Sequence, residues 1–149
     1  MSTSLNPTAA FAAPRAVNDV SLLRLYALRA GYLLLVVGLG SEIWPAILHH
    51  AKPWDLMHGV ADCMLGALTA AALLGLRYPL QMLPLLFFET LWKAIWLTVV
   101  ALPLWSAGQL DADTAETARD CLVGIVFPII IPWSYVFANY VKKPGDRWW

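Results

Sequence analysis

Residues 80–102 read LQMLPLLFFETLWKAIWLTVVAL. The run begins after Pro79, stops at Pro103, and carries two charges, Glu89 and Lys93. A bilayer core about 30 Å thick is crossed by about 20 apolar residues in a helix. In lipid only a helix or a closed barrel satisfies every backbone group. This run is too long and too continuously apolar for barrel strands, so it predicts a transmembrane helix. Glu89 and Lys93 stand at i and i+4 with the acid on the N-terminal side, the better orientation for an intrahelical pair.

The flanking sequence repeats the pattern. Four spans are predicted, at 22–43, 56–76, 80–102 and 114–140. The first ends at Trp44-Pro45 and the third at Pro103. The fourth opens on a capping signature, Asp113-x-x-Glu116, in which the aspartate accepts from early N–H groups. Pro128 and Pro132 are expected to kink it. Residues 1–21 read as a flexible cytoplasmic tail and 141–149 as a second one. The expected class is therefore all-α, an integral membrane four-helix transmembrane bundle.

Composition agrees. AVILMFWYC make up 60% of the 149 residues, charged residues only 13%, and mean hydropathy is +0.63. Soluble domains carry about 25% charged residues, so this chain has too little polar surface to face water on all sides. Net charge is zero, which leaves no basic field for nucleic acid. Cys63 and Cys121 lie far apart in apolar segments with no C-x-x-C, so neither a disulfide framework nor a zinc site is indicated.

Arg15, Arg24, Arg29, Arg77, Lys142, Lys143 and Arg147 fall on one side of a four-span topology, and only Lys52 and Arg119 on the other. The positive-inside rule then places both termini and the 76–80 turn in the cytoplasm. Trp44, Trp54 and Trp105 fall at the outer boundary, as an aromatic belt does. Gly59, Cys63, Gly66, Ala67 and Ala70 give the second span a small-residue face for close helix approach.

Charges inside a membrane cost at least about 2.5–3.5 kcal/mol each and seldom face lipid. Arg29 is near enough to the cytoplasmic end to snorkel. Asp62, Glu89 and Lys93 are the candidates for a buried polar network or ligand site joining the second and third spans. One reading is a neutralising pair that fixes packing; the other is a proton- or ligand-binding centre. Ser41, Ser134, Tyr135 and Asn139 are the polar residues of the outer two spans available to face it, and Glu42 is placed nearer the surface.

Glu42, Asp55 and His58 form a candidate outer-face polar patch, with His49 and His50 nearby. No closed-site motif accompanies them, so no metal is assigned and a solvated interfacial patch is the simpler reading. No catalytic motif is present, and no cofactor is indicated. A haem would need ligands on facing helices, whereas the three histidines cluster at one boundary.

The segments RLYALRAGYLLLVVGLGSEIWP and GVADCMLGALTAAALLGLRYPLQMLPLL resemble the DoxX-like group of small four-helix bacterial membrane proteins. That group pairs an arginine-led first helix with a second helix carrying an acidic residue, here Asp62, and a leucine-rich run ending in a Gly-Leu-Arg turn. The resemblance implies a bacterial inner-membrane location and, for some members, thiosulfate or quinone redox chemistry.

Three functions stay open. The first is a membrane-embedded subunit that binds a membrane protein partner or forms a homo-oligomer. The second is a redox-linked protein handling a quinone or sulfur species. The third is a small proton-coupled transporter using Glu89 or Asp62.

Overall fold

A computed structural model describes residues 20–49 and 56–144. Among these the secondary structure is all helical. Five helices follow one another: α1 (Leu22–His49), α2 (Leu56–Arg77), α3 (Leu83–Ser106), α4 (Ala112–Ile130) and α5 (Trp133–Val141). The first three are each long and apolar enough to cross a membrane, and α4 with α5 can make a fourth crossing. Residues 22–131 form one compact unit holding α1–α4, while α5 belongs to another.

In the most apolar stretches of α1, α2 and α3, only 22%, 33% and 17% of the residues are buried. Leu23, Leu56, Leu91 and Val99 are all well over half exposed. A water-soluble bundle would bury such side chains, because each one costs about 1.5–3 kcal/mol if left wet. Lipid removes that cost.

Two prolines expected to end helices do not. Pro45 lies inside α1, which runs on to His49. Proline removes one hydrogen bond there, but Ile43 and Ile47 pack where a Cβ on Gly66 would sit, at 3.7 and 2.8 Å, and hold the helix across the gap. Pro103 lies inside α3. A π-helical segment, Leu97–Ala101, precedes it and places Pro103 in the first turn of a new α-helical stretch, where a missing N–H costs little. α1 has a similar π segment at Leu35–Leu39.

The fourth expected span, 114–140, is not one continuous helix. Ile131 and Pro132 leave helical geometry, with ψ of 127° and 84°. Its N-cap is Asp111 rather than Asp113. The Asp111 Oδ1 accepts from the Thr114 N–H at 2.7 Å, and this backbone bond holds its carboxyl below the usual aspartate range. Capping two residues earlier also puts Asp113 into the first turn, where the helix dipole favours an acid.

The α1–α2 seam is close-packed because α2 supplies glycines. A Cβ on Gly75 would collide with the Tyr32 ring. Tyr32 is fully buried, and its hydroxyl donates to the Pro79 carbonyl at 2.9 Å. Trp44 Nε1 donates to Thr69 Oγ1 at 3.0 Å, and Thr69 donates to the Gly66 carbonyl at 2.8 Å. α1 meets α4 at Gly31, where Ile130 and Phe127 fill the space of a side chain.

Arg29 does not merely reach for headgroups. Its Nε donates to the Leu76 carbonyl at 3.1 Å. The last carbonyls of a helix lack intrahelical donors and carry the negative end of its dipole, so an arginine on the neighbouring helix gains more by capping α2. Arg24 does the same at the end of α4, donating to Ile131 O at 3.2 Å.

Candidate functional site

α3 places Glu89 and Lys93 one turn apart, and the pair forms: Lys93 Nζ lies 2.9 Å from Glu89 Oε1. Glu89 is completely buried. Its Oε2 accepts from Trp92 Nε1 at 2.7 Å. Its Oε1 has no hydrogen bond. The Lys93 ammonium is the Coulombic partner of that oxygen. The ammonium also lies 5.4 Å above the Trp92 ring, close enough for a cation–π attraction.

Lys93 is steered by α4. A Cβ on Gly124 would come within 2.7 Å of the lysine Cδ, so the absence of a side chain at 124 lets the aliphatic stem cross α4. Beside the pair is a cavity of about 240 Å³. α1 lines it with Leu34, Leu35, Gly38, Leu39 and Glu42. α4 contributes Asp120, Val123, Gly124 and Phe127, and α3 contributes Glu89 and Lys93.

The cavity gathers charges that the sequence reading kept apart. Glu42 and Asp120 are individually exposed yet both line it. On a helical rise, Glu42 lies about 10 Å from the end of α1 and Asp120 about 12 Å from the start of α4. Three carboxyls and one ammonium therefore share one space.

Asp62 is not among them. It is half-buried on α2, which packs on α1 through its glycine face, and it does not line the cavity. Of the Asp62–Lys93–Glu89 network expected from the adjacency of two spans, the structure shows no contact of Asp62 with the Glu89–Lys93 pair; the charged residues that share a cavity with the pair come from α1 and α4. Ser41 turns back to its own helix, donating to Gly38 O at 3.0 Å. Asn139 Nδ2 likewise donates to Tyr135 O within α5 at 3.0 Å; Ser134 and Tyr135 also belong to α5.

Of the outer-face patch, Glu42 belongs to the cavity, His58 is exposed on α2, and Asp55 and His50 lie outside the described residues. Among the described residues no three histidine, cysteine or carboxylate side chains converge closely enough to hold a metal ion. Cys63 is exposed and Cys121 buried.

No protein-family model, curated protein or solved structure matches the sequence.

Proposed function

We propose that this chain is a multi-pass inner-membrane protein with both termini cytoplasmic, and that it works as a small proton-coupled transporter whose titrating centre is the Glu89–Lys93 pair. One observation carries the reading: Glu89 is wholly buried, yet one of its oxygens has no hydrogen bond. A pair kept only for packing gains by satisfying every lone pair, because a half-satisfied buried network is worse than an apolar core.

Charge count supports the same reading. Glu42, Glu89 and Asp120 face Lys93 across one cavity. If all ionise, the cavity carries two negative charges in excess of Lys93, and this excess favours uptake of a proton or a cation. Side chains that exchange protons for a solute are arranged this way in membrane carriers. The charged groups facing Glu89 are Lys93 on its own helix, Glu42 on α1 and Asp120 on α4, with the Cys121 thiol also on α4.

A second reading, the partner-binding membrane subunit, draws on α2. Gly59 and Gly66 are buried, whereas Cys63, Ala67 and Ala70 face outward, and small residues suit close approach by another helix. The redox reading rests on the DoxX-like resemblance alone.

The test is difference infrared spectroscopy of the full chain in lipid nanodiscs across a pH titration. A protonated-carboxyl band that appears and vanishes with pH, and that changes in Glu89→Gln, is expected. A spectrum without such a band refutes the proton-coupled centre.

A further inference from the structure

We infer that the cavity between α1, α3 and α4 takes a small organic ammonium ion with an apolar body, seated against Glu89 Oε1 in exchange for a proton. The inference rests on the proton-coupled reading and names its solute.

The ligand's sign follows from the lining. Three carboxyls and a single ammonium define the cavity, so an anion would add to an existing excess of negative charge. The deepest of these acids is completely buried, and its Oε1 faces the Lys93 ammonium at 2.9 Å without a hydrogen bond. That oxygen can accept an N–H from an entering ammonium while Oε2 stays fixed by Trp92.

An inorganic ion fits less well. Calcium needs six to eight oxygen ligands and magnesium near-octahedral ones. The carboxyls here line different walls, and no three metal-ligating side chains converge among the described residues. Leu34, Leu35, Leu39, Val123 and Phe127 complete the lining; they offer an inorganic ion nothing and an alkyl or aryl group a dry wall. A volume of about 240 Å³ equals the share of about eight liquid waters, room for a molecule of several heavy atoms.

Charge is conserved in the exchange: whether the cavity holds the proton or the ammonium, Lys93 offsets one carboxylate, and one further carboxylate, on the exposed Glu42 or Asp120, is left to water. The entering ammonium takes the place of that proton, which leaves to water, and no covalent bond forms or breaks apart from the O–H. Glu42 and Asp120 are exposed where Glu89 is buried, and they guide the cation inward.

The experiment is isothermal titration of the full-length protein in nanodiscs with phenylethylammonium, using phenylethanol and phenylacetate as neutral and anionic controls. Saturable binding of the cation alone is expected, tightening close to tenfold per pH unit while a proton is displaced. Repeating it in buffers of different ionisation enthalpy should show about one proton released per cation bound. Glu42→Gln and Asp120→Asn alter exposed side chains and preserve folding; each should weaken binding several-fold. Asp62→Asn, outside the cavity, should leave it unchanged. Equal heats for phenylethylammonium and phenylethanol, or an unaffected Kd in both Glu42→Gln and Asp120→Asn, overturn the inference. If the pH-dependent carboxyl band persists alongside such a result, only the solute class is lost; if the band is missing too, the proton-coupled reading falls with it.

Discussion

The α1–α2 seam and the α1–α3–α4 cavity both place polar groups within long apolar helices, and they treat those groups in opposite ways. In the seam every named donor finds an acceptor: Tyr32 on Pro79, Arg29 on Leu76, Trp44 on Thr69, Thr69 on Gly66. Glycines bring the backbones close enough for these bonds to form. In the cavity a buried carboxylate keeps one oxygen without a hydrogen bond, beside two further acids. Buried polar groups that only hold a fold together are normally satisfied. The contrast is between a satisfied seam and a charged cavity, and the proposed function rests on the second.

Mutations can break or sharpen this contrast. Glu89→Ala should have the largest effect. It leaves Lys93 without its counter-charge, and removing one partner of a buried pair costs about 3–5 kcal/mol; thermal unfolding in detergent would show it as a large fall in Tm. The double change Glu89→Leu with Lys93→Met should recover most of that stability while abolishing the carboxyl band. Recovery of stability with loss of titration is the outcome that separates function from fold.

In the seam, Gly75→Leu should come next. Its side chain would have to enter the space of the Tyr32 ring, and overpacking of this kind costs about 1–3 kcal/mol. Tyr32→Phe should cost less, about 1 kcal/mol, since it removes one hydrogen bond and keeps the ring. Neither seam variant should change the pH at which the carboxyl band titrates. A shift in either would mean that the two regions are coupled.

The smallest effect belongs to the α4 cap. The Asp111 carboxyl is held below its ordinary range by the Thr114 N–H. A depressed carboxyl contributes stability that is fully present above the ordinary aspartate range and is lost as pH falls from there through its own lowered value. Asp111→Ala should therefore be slightly less stable than the parent at neutral pH, with the difference shrinking once pH falls below about 4. Melting curves at pH 7 and pH 3 measure it.

Much of this was legible in the residues. The lengths of the apolar runs located α1, α2 and α3, because a bilayer sets the length of the helix that crosses it. The i,i+4 spacing was enough to pair Glu89 with Lys93. Asp120 was available in the sequence as well: it lies inside the fourth expected span, 114–140, but the acidic stretch before it made it look like loop. Glu42 was set aside on depth, as a residue near the surface end of a span expected to stop at 43; α1 runs on past Pro45 to His49, which leaves Glu42 about 10 Å inside the helix end.

The sequence by itself determined the helical class, the apolar runs long enough to cross a membrane and the Glu89–Lys93 ion pair, because each depends on composition or on spacing along a single segment. The tertiary structure alone decided the company that pair keeps. Which helix packs on which depends on where glycines let backbones approach: Gly66 and Gly75 draw α2 to α1 and carry Asp62 away, while Gly124 opens α4 to the lysine stem. That choice replaced one expected acid with two others, Glu42 and Asp120, and turned a pair into a cavity with an excess of negative charge.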